Sequence, residues 1–426
     1  MDTIFALATA AGRAGVAVIR ISGPRAFAAA QSMMASVPVS RGVRRLFDRD
    51  GTLVDTALVL RFAGGGSFTG EDVIELHTHG SPAVIQAVLG LLDACDGLRH
   101  AAPGEFTRRA MENGKLDLTQ VEGLADLIDA ETDSQRRQAL RVLSGALGER
   151  VEGWRTELLR ATALLEAMID FADEDLPTDT RPAVLEAVQG LRASLQAEFA
   201  GVAAAERIRS GFEVAIVGAP NAGKSTLLNR IAGRDAAITS SIAGTTRDVI
   251  EVRFDLKGLP VTFLDTAGLR ESTDEIEQIG IALARKRAVE ADLRIHLVDT
   301  GRSPELEPGP DDLVVITKDD SGSVRGLSVS GLNGYGVDHL LDRIHGILAS
   351  RVASIGVAIR DRHRVAIGRA IVALDEAIAQ LMEEGSMVDL IADDLRIAAR
   401  ALDSLLGRID VEEVLGEIFS RFCVGK

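Results

Sequence analysis

The octet Gly218-Ala219-Pro220-Asn221-Ala222-Gly223-Lys224-Ser225 follows the apolar run 214–217 and precedes Leu227, Leu228 and Ile231 at helical spacing. A G-x-x-x-x-G-K-S pattern between a strand and a helix suits phosphate. Successive backbone N–H groups of the glycine-rich turn point at one anion, and the helix N-terminus adds its dipole. Gly218 and Gly223 permit the turn, Lys224 reaches the β- and γ-phosphates, and the Ser225 hydroxyl is a ligand for Mg²⁺. Asn221, Ala222, Gly223 and Thr226 complete the cradle. The ligand implied is a nucleoside triphosphate.

Three further segments follow in the order such a site needs. Gly244-Thr245-Thr246-Arg247-Asp248 offers a threonine hydroxyl, Thr246, to complete the Mg²⁺ shell. In Asp265-Thr266-Ala267-Gly268, Asp265 can hold Mg²⁺ through water, and the Gly268 N–H can touch the γ-phosphate. In Thr317-Lys318-Asp319-Asp320, the Asp320 carboxylate can accept the N1–H and N2–H₂ protons of guanine. Adenine lacks that donor pair, so GTP is favoured over ATP. The Lys318 stem lies along the base, and Ser330-Gly331-Leu332 closes over its edge.

Two departures matter. The usual base-reading pattern is N-K-x-D, and Thr317 stands where Asn is expected. Threonine is shorter and lacks the amide that normally bridges the base segment to the phosphate loop. Small regulatory GTPases also carry a Gln after the Asp-x-x-Gly turn to orient the attacking water. Leu269 occupies that place here. An apolar side chain cannot orient water, so hydrolysis must draw its water-positioning group and positive charge from elsewhere.

These residues need a βα framework to position them. Strands are expected near 213–217, 251–255, 261–265, 293–299 and 313–317, alternating with helices. That places a P-loop, Ras-like GTPase domain at 211–350. Before it, residues 1–115 read as a mixed α/β domain with strand-like runs at 15–21, 56–62 and 72–77 and helices after Pro24 and Pro82. Helical periodicity takes over at 116–210, with helices expected from Leu118, from about Trp154 and from about Pro182, and returns at 351–426. Each helical segment is too thin to form a core alone, so the two are expected to pack together as one discontinuous helical domain around the inserted GTPase domain. The fold class is thus multidomain, α+β and α/β.

With a net charge of −16 over 426 residues, general salt-driven nucleic-acid binding is disfavoured, and any RNA partner would be held by a local patch or a second protein. No apolar run approaches the ~20 residues of a membrane span. The first twenty residues lack a basic stretch ahead of their apolar part and make a poor signal peptide. Two cysteines, Cys95 and Cys423, give neither a disulfide framework nor a zinc spacing. A reduced, cytoplasmic protein is the expectation.

Taken together, the phosphate loop, 244–248 and Asp265-Thr266-Ala267-Gly268-Leu269-Arg270 resemble the MnmE (TrmE) family of tRNA modification GTPases. So do Phe68-Thr69-Gly70-Glu71-Asp72, Pro103-Gly104-Glu105-Phe106, Lys115-Leu116-Asp117-Leu118 and, most diagnostically, the terminal Phe422-Cys423-Val424-Gly425-Lys426. The resemblance covers nearly the whole chain. It implies a K⁺ ion beside the phosphates, held by Asn221, backbone groups of Ser240 and Ile242, and Thr245. Ser241, Ala243 and Gly244 would belong to the same GTP-binding stretch. It implies that Glu277 orients the attacking water once two GTPase domains face each other in a homodimer. It makes the N-terminal domain a dimerising module for a 5-formyl-tetrahydrofolate-type one-carbon donor, contacted by Arg20, Glu75, Lys115 and Lys426. It also implies an FAD-containing partner, MnmG, and a wobble uridine of certain tRNAs as the target. FAD would enter only through that partner. The competing readings are a regulatory GTPase switch in ribosome assembly or signalling and an ATPase scaffold.

Overall fold

The computed structural model describes residues 2–170, 181–234, 237–238, 251–265, 286–287, 289–304, 306–352, 356–383, 387–408, 416, 418–419, 422 and 425, without the side chains of 167–170. The chain forms two compact units, Met1–Ala125 with Asp403–Lys426, and Asp126–Leu402. Residues 116–125, including the first turns of a helix, and the C-terminal segment fall in the first unit.

In the first unit, strands β1 (Thr3–Leu7), β2 (Ala14–Ser22), β3 (Arg41–Phe47), β4 (Leu53–Phe62), β5 (Val73–Gly80) and β6 (Leu98–His100) form one sheet in the order β3-β4-β5-β2-β1-β6. The pairs are antiparallel except β1 with β6. Alternation along β5 buries Ile74 and Leu76 and leaves Glu75 and His77 on the opposite face. The buried face carries Phe5, Ile19, Ile21, Val59, Ile74 and Leu76, covered by α1 (Ala26–Gln31) and by Val88 and Leu92 of α2 (Pro82–Asp93). Pro82 starts α2, where the missing N–H costs no helical bond. Helices α3 (Glu105–Glu112) and α4 (Leu118–Asp129) follow. Phe419 and Phe422 from the C-terminal segment bury themselves against Val121 of α4.

The second unit holds α5 (Asp133–Leu143), α6 (Ala146–Asp170) and α7 (Arg181–Ser210), then a seven-stranded sheet. Its strands are β7 (Phe212–Gly218), β8 (Ala237–Ile238), β9 (Glu251–Leu256), β10 (Leu259–Asp265), β11 (Leu293–Val298), β12 (Leu313–Thr317) and β13 (Ser328–Val329), in the order β13-β12-β11-β7-β10-β9-β8. All pairs are parallel except those of β9. The core strands read as nearly continuous apolar runs because α8 (Lys224–Ala232) and α9 (Val337–Arg351) cover the sheet. After the sheet come α10 (Asp361–Met382) and α11 (Val388–Leu405). α10 packs on α7: Arg192 pairs with Asp375, and buried Glu198 of α7 accepts the Val357 and Ala358 N–H groups just before α10. The helical domain is therefore discontinuous, with the P-loop domain inserted.

Several elements carry little sequence signal. α6 begins at Ala146, eight residues before Trp154, and α5, β1 and β3 were not anticipated. α5 buries only Ala139 and Val142, so its apolar period is thin; a Thr132/Gln135 capping box fixes its start instead. β3 is an edge strand rich in arginine, with one buried residue, Leu46. The periodicity of such a strand is weak.

Candidate functional site

The phosphate loop is built where the sequence places it. β7 ends at Gly218, and a Cβ there would lie 2.5 Å from the Leu297 carbonyl oxygen of β11. Only glycine lets the two strand ends approach this closely. Asn221 sits at φ +64 and Gly223 at φ +94, so the loop curls before α8 begins at Lys224. Ala222 is buried beneath the loop. Lys224 is 6% exposed, and its Nζ donates to the carbonyls of Gly218 and Ala219 at 2.5 and 2.9 Å. The ammonium is thus held over the loop that would wrap the phosphates. Ser225 Oγ donates to Asp265 Oδ2 at 2.7 Å, and Asp265 is 5% exposed at the end of β10. A hydroxyl and a carboxylate in contact form a hard oxygen donor set of the type that suits Mg²⁺.

The base-reading segment lies at the C-terminal end of β12. Thr317 is 6% exposed, and its Oγ1 donates to the Val298 carbonyl at 3.5 Å. Lys318 adopts φ +60, with its Nζ 3.1 Å from Asp299. Asp319 is buried and accepts from Ser328 Oγ at 2.8 Å and from the Ser323 and Val324 N–H groups. Burial alone would raise its carboxyl pKa; these hydrogen bonds outweigh that and hold it below the ordinary aspartate value. Asp320 Oδ1 accepts from Ser330 Oγ. Gly331 backs directly onto Thr226 and Leu227 in the first turn of α8, and Arg230 of α8 donates to the Leu332 carbonyl at 2.8 Å. The structure therefore brings together Asn221–Thr226, Asp265, Thr317, Lys318, Asp320 and Ser330–Leu332. Sequence reasoning overlooked Asp319 as the organiser of this turn, and also Arg230 and Asn333; a buried acid between two loops carries no motif signal. Ser240–Thr246, Thr266–Gly268, Leu269, Glu277, Cys423 and Lys426 lie outside the described residues.

A second cluster lies on the N-terminal sheet. Arg20 of β2 and Glu75 of β5 are direct cross-strand partners, and Arg20 Nε donates to Glu75 Oε1 at 2.9 Å. His77 Nε2 lies 3.4 Å from the other Glu75 oxygen. The Arg20 guanidinium sits 5.7 Å from the Phe68 ring centroid and 5.6 Å from that of Phe106. Phe68 is 39% exposed, on a loop held from several sides. Lys115 Nζ donates to the Gly65 carbonyl at 2.6 Å, Asn113 donates to the Thr69 carbonyl at 2.7 Å, and Arg109 binds Glu71. Arg109 also meets Asp2 and Glu105. Burial would raise the Glu105 carboxyl, but hydrogen bonds from Arg99, Ala102 N–H and Arg109 hold it below its ordinary value. The C-terminal segment reaches the same domain: a Cβ on Gly425 would meet the Leu7 carbonyl oxygen at 2.1 Å, at the end of β1. Arg20, Glu75 and Lys115 thus surround one loop.

A Ras-like sheet with a glycine-rich loop between β7 and α8 and an acidic turn at the end of β12 defines the P-loop GTPase fold. The family described as MnmE helical domain matches residues 118–423, and that described as GTP-binding protein TrmE N-terminus matches 3–115. Curated proteins named tRNA modification GTPase MnmE match over the full length of both chains. Those of Roseobacter denitrificans and Ruegeria pomeroyi are 58% identical over 428 residues, and one of Cereibacter sphaeroides is 59% identical over 429. The chain belongs to the MnmE family of tRNA modification GTPases and is a GTP hydrolase. Among the described residues, no helix is long and apolar enough to cross a membrane.

Proposed function

We propose that this chain is a K⁺-dependent GTPase that acts as a homodimer with MnmG on tRNA, placing a carboxymethylaminomethyl-type group on carbon 5 of a wobble uridine. The one-carbon unit would come from a 5-formyl-tetrahydrofolate-type donor. Full-length similarity to proteins named tRNA modification GTPases is the observation that carries this reading. The same reading divides the chain into 1–115 for folate and dimerisation, 211–350 for GTP, and 116–210 with 351–426 as the helical domain.

At the nucleotide site, Lys224 and the loop N–H groups would bind and orient the phosphates, and Ser225 with Thr246 and Asp265 would hold Mg²⁺. Asn221, exposed on the loop at φ +64, would hold K⁺ together with Ser240, Ile242 and Thr245. K⁺ beside the phosphates supplies fixed positive charge where charge develops between the β- and γ-phosphates. Glu277 would orient the attacking water, the task Leu269 cannot perform. At the N-terminal site, Glu75 can pair with the amide and amine edge of a pterin, while Arg20, Lys115 and Lys426 suit an anionic glutamyl tail. What supports this is the grouping of a carboxylate, a guanidinium and the exposed Phe68 ring around one loop.

The test is GTP turnover in K⁺ against Na⁺, with and without MnmG. A rate that rises steeply in K⁺, and an Asn221→Ala variant that loses the rise, are expected. Equal rates in the two salts would sink the K⁺ assignment.

A further inference from the structure

Position 317 usually carries the amide that ties the base-reading segment to the phosphate loop; here the Thr317 hydroxyl turns to the Val298 carbonyl. Two other side chains span that gap in relay, Arg230 joining α8 to the 330–335 turn and Asn333 joining that turn to Asp320. Arg230, in the last turn of α8, donates from Nη2 to the Leu332 carbonyl at 2.8 Å. Its guanidinium lies flat against Gly334, where a Cβ would sit 3.3 Å from Nε and 3.5 Å from Cζ. Gly334 also adopts φ +88, so the turn folds over the guanidinium in a conformation that other residues resist. Asn333 donates from Nδ2 to the Asp320 carbonyl at 2.9 Å. Its Oδ1 accepts the Tyr335 N–H at 2.9 Å, and its own N–H donates to Ser330 Oγ at 3.2 Å. Ser330 Oγ in turn donates to Asp320. The guanine-reading carboxylate is thereby locked into the 330–335 turn, and that turn is locked to the helix that begins at the phosphates.

We propose that Arg230 and Asn333 are positioning residues for guanine recognition, bridging the base-reading turn to the phosphate-loop helix in place of the amide that Thr317 lacks. The inference rests on Asp320 as the guanine selector. Arg230 anchors the turn, and Asn333 aims the Asp320 carboxylate at the base.

The experiment titrates the full-length protein and its Arg230→Ala, Arg230→Lys and Asn333→Ala variants with GDP and with IDP, whose base lacks the 2-amino group. Loss of one hydrogen bond predicts a GDP Kd about tenfold higher for Arg230→Ala and for Asn333→Ala. Arg230→Lys, which keeps a donor, should fall between Arg230→Ala and wild type. The GDP-over-IDP preference should shrink in Asn333→Ala, because a mis-aimed carboxylate no longer rewards the 2-amino group. At saturating GTP, kcat should stay within about twofold, which a misfolded domain would not allow. Adding Thr317→Asn to Arg230→Ala should recover about half the lost affinity on a logarithmic scale. The bridge is overturned by GDP Kd values within twofold of wild type in both alanine variants, by equal losses for GDP and IDP in Asn333→Ala, or by a double variant no tighter than Arg230→Ala. Asp320→Asn separates the two levels. If it leaves the GDP-over-XDP preference unchanged, the guanine reading itself fails; if it switches that preference while the Arg230 and Asn333 variants bind normally, only the bridge fails.

Discussion

The nucleotide site and the Arg20–Glu75 site are assembled in opposite ways. The first is mostly main chain: a loop of positive-φ residues, a helix N-terminus and strand ends, with Lys224, Ser225 and Asp265 added at fixed offsets. Its phosphate-binding chemistry is therefore written largely into the consecutive residues 218–225, with Asp265 joining from the end of β10. The second is made of side chains that meet only because β2 and β5 pair in one register, with Arg20 opposite Glu75. A one-residue slip of either strand would turn its side chain to the other face and separate the pair. Local geometry makes a site robust and recognisable, whereas cross-strand geometry makes it dependent on the whole sheet.

This contrast can be broken from either side. The largest effect is expected from Lys224→Ala, which removes the charge over the phosphate loop. GTP turnover should fall about 10²–10³-fold, while titration with 5-formyl-tetrahydrofolate stays unchanged. A parallel loss of folate binding would show that the two sites are not separable. Asp320→Asn should weaken GTP about 10–100-fold, the scale of a hydrogen bond to a charged group. It should also improve xanthosine triphosphate as a substrate, as read in competition assays. Unaltered nucleotide preference would move base selection elsewhere. In the other direction, Glu75→Gln should cost about tenfold in folate affinity and leave GTP turnover untouched. If calorimetry finds the variant binding folate as wild type does, Glu75 is only a structural partner of Arg20.

The smallest effect concerns stability against pH. Glu105 has a folded pKa below its unfolded value of about 4.5, because hydrogen bonds from Arg99 and Arg109 outweigh its burial. A depressed carboxylate contributes stability that is fully present above the unfolded pKa and is lost as pH falls through the folded one. Glu105→Gln should therefore destabilise the protein by about 2 kcal/mol at neutral pH. The gap from wild type should narrow as pH falls below about 4.5 and close once pH is below the depressed folded value. Thermal midpoints across that range provide the measurement. A gap that stays constant with pH would mean that packing, not charge, is what the variant disturbs.

Much of the GTPase domain could be read directly, because β7, β10 and β12 are largely apolar runs that end at the motif residues Gly218, Asp265 and Thr317. The arginine-rich edge strand β3 and the polar helix α5 could not, since each buries too little to impose a period. Within the nucleotide site, Lys224, Ser225, Asp265 and Asp320 were found by offset. Asp319, Arg230 and Asn333 were not, because their partners lie in segments brought near only by folding.

The sequence by itself determined the phosphate loop, the choice of guanine and the absence of a water-orienting side chain at 269. Each depends on residues within one turn of each other, where covalent geometry sets the distances. Tertiary structure decided that Arg20 faces Glu75 and that Gly425 reaches the end of β1. It also decided that Arg230 clasps the base-reading turn at Leu332. Those contacts join residues far apart in the chain, and only burial of the shared cores and the register of the sheets bring them within reach.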